Sequence, residues 1–357
     1  MLALFCCLFI LAFGSYIRLV LAIKRDPGLV PLLRERDPET AEIAEKRRKS
    51  RSGRNREPGN LPWVPPDTDP NSPGLEAFYS KDVFVCEWDG RPKWCSECCQ
   101  WKPERAHHSS DLGRCVRKMD HLCPWVGGMV SETSFNFFTQ FTFWTTFLCV
   151  LCVAVSAYSL QQQIAEGVQA DGWIIAVIAI SSFFGFFAFG MILTGVPFLY
   201  HNTTNIDALK KSQIFLLAVR IPRDTPPSSQ YPTITYPLPL TQHTAAGTDD
   251  QQEQGTADDV RARDMQAIRK FAILQTEAGE NPWDLGPWEN FKSVMGTSVA
   301  EWLLPIRHSP CCRHDSMVSD YPYGSLVEEL RKRYGVPHLN EKTPNGAEMH
   351  NLAANGN

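Results

Sequence analysis

The sequence predicts a mainly α-helical membrane protein with three transmembrane helices and a small cysteine-rich domain of short hairpins and loops. Three observations predict it. Apolar stretches at 2–23, 137–160 and 173–200 are each long enough to cross a hydrocarbon core ~30 Å thick at a rise of ~1.5 Å per residue. Basic residues are segregated along the chain. Cysteine and histidine concentrate between residues 95 and 123.

Bulk composition alone hides this segregation: a hydrophobic fraction of 43% and a formal charge of −4 over 357 residues are ordinary for a soluble protein. The first apolar stretch (1–23) has no basic residue ahead of its core and carries Arg18 near its far end, so it reads as a membrane anchor rather than a cleaved signal. Eleven Lys or Arg residues follow between Lys24 and Arg56, and Lys210, Lys211, Arg220 and Arg223 follow the third stretch. The connector 161–172 has none. The positive-inside rule then places 24–136 and the C-terminal region in the cytosol and the connector in the lumen. The basic run 46–56 reads either as a solvated linker or as a contact for anionic lipid.

Residues 24–80 are rich in charge and proline and read as an irregular linker, with one short helix over 38–49. The alternation at 81–85 suggests a strand leading to an Asp89-Gly90 turn. A compact Cys/His region, 81–136, runs into the second span, 137–160, and the third is 173–200. The region 201–357 opens with an expected amphipathic helix over 206–219. Disorder is expected for 222–259 and beyond 342, helical spacing runs over 261–275, and an aromatic block extends to Trp302.

The chemistry concentrates in Asp120-His121-Leu122-Cys123-Pro124-Trp125. A carboxylate can orient an imidazole, the imidazole can deprotonate a thiol, and the thiolate is the nucleophile. Pro124 disfavours helical geometry at Cys123, which suits a turn. Taken alone, the spacing also fits a buried cysteine with a chance neighbour. Upstream, Cys95-Ser96-Glu97-Cys98 is a C-x2-C knuckle that His108 and Cys115 can close into a tetrahedral zinc set, with His107 as the competing imidazole. There are twelve cysteines, and in a reducing compartment they are expected as metal ligands, reactive thiols or acylation sites rather than disulfides.

Together with Lys102-Pro103, Arg105 and His107-His108, these motifs resemble the cysteine-rich domain of the DHHC protein S-acyltransferases, the integral-membrane palmitoyltransferases. The resemblance covers 95–134, with fainter echoes at 202–207 and 281–296. It implies that Cys123 takes a long-chain acyl group, typically palmitoyl, from acyl-CoA as a thioester. Cysteine thiols of membrane-associated proteins then accept it. His121 would be the general base and Asp120 its orienting partner. It further implies one structural zinc on Cys95, Cys98, His108 and Cys115. The positions of the family's second zinc site are Ser109, Leu112, Leu122 and Met129, all non-ligands. A fungal branch of the family shows a similar degenerate site. An apolar cluster of Leu112, Leu122 and Met129 is expected to replace that metal, and Gly127-Gly128 stands where the family has Asn-Asn.

Asn202-Thr203-Thr204-Asn205-Ile206-Asp207 resembles a family motif that departs at Asn205 and Asp207. Asn202 also forms a glycosylation sequon on the predicted cytosolic side. The block 281–296 resembles the family's C-terminal motif, a support for the active-site face. Lys102 and Arg105 are candidates for the CoA phosphates, with surface solvation or structural pairing as the alternative. Cys311-Cys312 and Cys6-Cys7 read as regulatory acylation sites or inert thiols.

The family normally has four spans, so either a first helix is lost or the sequence lacks its start. A catalytically weak zinc-bearing membrane adaptor is the alternative function. The expected setting is an endomembrane or plasma membrane, with the lipid bilayer, acyl-CoA and protein substrates as partners and no nucleic acid.

Overall fold

The computed structural model describes residues 1–32, 64–67, 72–210, 212–236, 268–314, 316–318 and 320–339. Helices α1 (Leu2–Arg25), α2 (Phe135–Ala165) and α3 (Gly172–His201) carry the three apolar stretches. Each is long and apolar enough to span a bilayer, and little of any of them is buried inside the protein. Such surfaces are stable against hydrocarbon rather than water, so the helices fit a membrane protein. Tyr16 of α1 packs on Phe141 of α2 at 5.2 Å. Gly185 lets α3 approach α2, since a Cβ there would lie 2.9 Å from that of Cys149.

At the end of the bundle where α1 finishes and α2 begins, the chain builds short antiparallel ladders. Strand β1 (Val83–Cys86) is followed by the hairpins β2–β3 (Trp94–Cys95, Gln100–Trp101), β4–β5 (His107–Ser109, Arg114–Val116) and β6–β7 (His121–Cys123, Gly128–Val130). Strands of two or three residues are too short to be stable by themselves. Residues just past α1 support one of them: Val30 N–H donates to Cys115 O at 2.9 Å, and Arg117 N–H donates to Gly28 O at 2.8 Å.

After α3 come helix α4 (Asn205–Leu209) and strands β8 (Leu216–Ile221), β9 (Thr233–Tyr236) and β10 (Arg269–Gln275). With β1 they form a four-stranded antiparallel sheet in the order β1-β8-β10-β9. Helices α5 (Pro287–Met295), α6 (Val299–Leu303) and α7 (Leu326–Tyr334) follow β10, and a single helical turn, Glu76–Tyr79, precedes β1 at the end of the expected linker. One face of the sheet packs Leu217, Val219, Ile221, Ala272 and Leu274 against Trp283, Val327 and Leu330. The other packs Ala218, Phe271 and Ile273 against Phe78, Tyr79 and Trp101.

Two helix expectations are corrected here. The helix expected over 206–219 ends at Leu209, and Leu216–Ile221 is a strand. Helical spacing was expected over 261–275, yet Arg269–Gln275 is also a strand. Both strands are central and buried on both faces, so they read as continuous apolar runs, and such runs do not separate helix from strand by periodicity. Within the segment expected to be disordered, Thr233–Tyr236 pairs with β10. The expected helix over 38–49, residues 237–259 and the tail beyond 342 lie outside the described residues.

Candidate active site and metal centre

The knuckle turn between β2 and β3 brings Cys95 and Cys98 together, with Cys98 N–H donating to the Cys95 sulfur at 3.4 Å. The β4–β5 register sets His108 directly opposite Cys115. The four potential ligand atoms all lie within 4.8 Å of one another, and His108 Nδ1 is 3.6 Å from Cys95 Sγ and 3.4 Å from Cys98 Sγ. Bond lengths of ~2.3 Å to sulfur and ~2.0 Å to nitrogen give a tetrahedron with edges of about 3.5–3.8 Å, so the set fits zinc. S–H donation from Cys115 and Cys98 pulls the Cys95 thiol far below its ordinary range, while Cys98 is pushed up to about 12. A divalent cation would relieve that competition among three sulfurs. Among the described residues this is the single cluster of its kind.

His107 faces elsewhere. Its pKa is lowered to about 4, first by burial and then by the charges of Lys210, Lys102 and Lys93.

The next hairpin, β6–β7, carries the catalytic candidates. Cys123 has φ −114° and ψ 106° and stands at the N-terminus of a 3-10 turn, Pro124–Val126. Asp120, 3% exposed, holds His121 Nδ1 at 2.6 Å through Oδ2. The imidazole edge packs on Phe138 at 5.1 Å, which fixes its plane. His121 Nε2 is buried with no formed hydrogen-bond partner, and Cys123 lies beside the ring. Burial opposes the charged imidazole, but Asp120 and the Cys123 sulfur outweigh it and raise His121 to about 9. Burial likewise opposes the Cys123 thiolate. His121 and the backbone N–H groups of Val126 and Trp125 nonetheless lower its pKa below the ordinary thiol value. The pair is therefore biased toward thiolate and imidazolium, the arrangement of an activated nucleophile.

Sequence reasoning missed what orients Asp120. Asn205 donates its backbone N–H to Asp120 Oδ1 at 2.9 Å and its side-chain amide to Oδ2 at 2.7 Å. It does so from the first residue of α4, whose capping box joins Thr204 and Asp207. The signal was present in the 202–207 motif, but a contact across 85 residues has no local signature.

Arg105 needs correction as a CoA contact. Its side chain is 1% exposed and bonded to Asp207 Oδ2 at 2.7 Å, Asn202 Oδ1 at 3.0 Å and Asn202 O at 2.8 Å. It also stacks over Trp283 at 4.9 Å. A guanidinium so committed is structural. Lys102 is half-buried, and its charge and that of Lys210 both act on Lys93. Asn202 is 3% exposed with its amide donated to Trp283 O at 2.9 Å, which leaves no free acceptor for a glycan.

The block after β10 caps the end of α3. Asn281 donates to His201 O and Asn290 donates to Tyr200 O, both at 2.7 Å, so helix-terminal carbonyls are satisfied.

The apolar staple expected at the second metal position is also corrected. Met129 is buried and pairs with Leu122 across β6–β7, but Leu122 is 44% exposed and Ser109 Oγ accepts from Leu112 N–H at 3.3 Å. Polar contacts hold this region instead: Arg117 and Glu132 form a fully buried ion pair at 2.7 Å, and Tyr321 donates to Glu132. Gly128 explains one departure from the family pattern, because a Cβ there would meet Ile23 of α1 at 2.5 Å. Cys311 and Cys312 are not on an exposed tail; Cys312 donates to Glu132 O at 3.0 Å, and Cys311 lines a small cavity with Lys118 and Asp120.

Residues 89–212 match the family model described as DHHC palmitoyltransferase. This stretch of the chain is similar to a DHHC palmitoyltransferase domain. The chain is 45% identical over 271 residues to Palmitoyltransferase pfa5 of Aspergillus fumigatus, covering 74% of this chain and 58% of that protein. The Emericella nidulans protein of the same name is 40% identical over 297 residues, covering 77% and 58%. Palmitoyltransferase PFA5 of Eremothecium gossypii is 26% identical over 266 residues, covering 71% and 62%. The chain thus spans about three fifths of the length of these relatives.

Proposed function

We propose that this chain is a protein S-acyltransferase that moves a long-chain acyl group from acyl-CoA, through a thioester on Cys123, to cysteine thiols of membrane-associated proteins. The observation that carries the reading is the Asp120-His121-Cys123 array, set where α1 meets α2. In the first step the Cys123 thiolate attacks the acyl-CoA carbonyl, the thioester bond to CoA breaks, and the CoA sulfur leaves as a thiolate that accepts the proton held on His121 Nε2. In the second step an acceptor thiol gives its proton to His121 and attacks the Cys123 thioester, which restores Cys123. Asp120 holds Nδ1 throughout, so Nε2 alone exchanges protons.

The apolar surroundings of Cys123 support this placement. It packs with Leu19, Ala22, Ile23, Val126 and Phe137 at the mouth of the helix bundle. There an acyl chain can stay in hydrocarbon, with each buried CH2 contributing about 0.8 kcal/mol. Lys102, with Lys93 and Lys210, gives a positive surface suited to the CoA phosphates. One zinc on Cys95, Cys98, His108 and Cys115 would supply folding energy to hairpins too short to stand alone. The charge distribution supports a catalytic face in the cytosol.

The test is incubation of purified protein with radiolabelled palmitoyl-CoA. A hydroxylamine-sensitive adduct is expected on wild type and none on Cys123→Ser, whose alcohol forms no anion near neutral pH. Full labelling of the Ser variant would overturn the assignment.

A further inference from the structure

Helix α6 and the residues after it lie against the membrane-spanning part of α2. Gln140, 2% exposed, donates through Nε2 to the carbonyls of Glu301 at 2.6 Å, Leu304 at 3.1 Å and Trp302 at 3.2 Å. Trp144 donates its indole N–H to Leu303 O at 2.9 Å. Three of these carbonyls, those of Glu301, Trp302 and Leu303, lie at the C-terminal end of α6, where intrahelical partners run out, and the fourth, Leu304 O, also accepts from Ile306 N–H at 2.8 Å. Trp144 lies about 10 Å along α2 from Phe137, the start of the apolar stretch, at ~1.5 Å per residue. A second depth marker comes from α1. His308 Nε2 is 3.5 Å from the Arg18 guanidinium, which is itself about 10 Å from the Arg25 end of that helix at the same rise.

The other side of the segment is apolar and uncovered. Val299 is 59% exposed, Leu303 40%, Leu304 41% and Ile306 51%, and Trp288 of α5 adds 54%. Lys292 of α5 lies over the Trp288 ring at 5.9 Å and marks the border of this side, while the one charged residue within 299–306 avoids it. Glu301 turns back to accept from Thr297 N–H and Ser298 N–H, and it pairs with Arg307 at 3.1 Å. The Arg307 side chain is 77% exposed and can reach the headgroup level. Irregular backbone is tolerated at hydrocarbon depth only where its polar groups are satisfied by protein. Gln140 and Trp144, placed in an apolar span, meet that condition.

We propose that residues 299–306 form a membrane-embedded interfacial element that dips into the leaflet on the catalytic side, with Leu303, Leu304 and Ile306 against phospholipid acyl chains. The occupant is lipid because the segment is bonded to α2, an apolar helix little of which is buried inside the protein, and the residues it leaves uncovered are apolar. The segment also ties the 281–296 block, through the Phe291–Trp302 contact at 5.4 Å, to a fixed depth in the bilayer.

The experiment uses full-length protein in nanodiscs of phosphatidylcholine with brominated acyl chains. A fluorescent non-natural amino acid is placed at Leu303 or, separately, Ile306, and only the monodisperse fraction is read. Trp88, 81% exposed after β1, is the water-side reference position, and Ile180 within α3 is the membrane reference. Quenching at Leu303 and Ile306 is expected to approach that at Ile180 and to exceed that at Trp88 by about threefold or more, as burial 5–10 Å into the interface requires. Quenching at both positions no greater than at Trp88 overturns the proposal.

Discussion

Both carboxylate oxygens of Asp120 are bonded before any substrate arrives, one to Asn205 alone and the other shared between Asn205 and His121. The consequence is a fixed tautomer, with Nδ1 occupied and Nε2 left for the thiol proton. Because His121 is raised to about 9 and Cys123 is lowered, the ion pair exists from the depressed thiol pKa up to about pH 9. Autoacylation should rise as the pH passes the lowered thiol pKa and then hold steady to about pH 9. In His121→Ala the thiol returns toward its usual ~8.5. The rate at pH 7 should then fall by roughly 10²-fold, and alkaline buffer should restore part of it. An unchanged rate at pH 7 would remove His121 from the mechanism. Asn205→Ala should leave the zinc content intact and move the acid limb upward, because a loosened Asp120 supports the imidazolium less well. A lower rate with no shift of that limb would mean Asn205 acts on the fold alone. The three catalytic candidates were legible because they fall within four residues, whereas Asn205 was not, because its role exists only once α3 returns the chain to the same end of the bundle.

At the level of elements, the metal knuckle was readable from spacing and the choice between His107 and His108 was not. The cross-strand register decides it, since His108 faces Cys115 while His107 pairs with Val116. Metal analysis of pure protein is expected to give one zinc per chain, and Cys98→Ser should release it and lower the melting temperature together. Two zincs would require ligands that Ser109, Leu112, Leu122 and Met129 do not offer. The β6–β7 hairpin makes a different demand on α1. Gly128 leaves no room for a side chain beside Ile23, so Gly128→Val should cost about 1–3 kcal/mol by overpacking. Adding Ile23→Ala should recover part of that loss, as chemical denaturation would show. Equal losses without coupling would mean α1 does not seat on this hairpin. Strands β8 and β10 were misread as helix for a physical reason: Leu217 and Ala218, adjacent in sequence, enter two different apolar layers, and both layers are full.

Across the whole molecule, the spans were legible from hydropathy, but the way the ends of the chain meet the catalytic hairpin was not. Arg105 joins three regions: the cysteine-rich domain that bears it, the end of α3 through Asn202 and Asp207, and the C-terminal block through Trp283. Burial opposes the Asp207 carboxylate, yet Arg105 and Thr204 hold its pKa below the usual range. Removing one partner of such a buried pair leaves the other charge uncompensated, so Arg105→Ala should destabilise by about 3–5 kcal/mol. In the fraction that remains folded, KM for palmitoyl-CoA should be unchanged, because this guanidinium has no face toward a ligand. Lys102→Ala should do the reverse, raising KM in a salt-dependent way with little change in melting temperature, because an accessible lysine meets a phosphate as a screened charge. Measuring both variants for melting temperature and KM separates the roles. A raised KM with normal stability in Arg105→Ala would return that residue to the CoA site and leave Asp207 to be paired by some other cation.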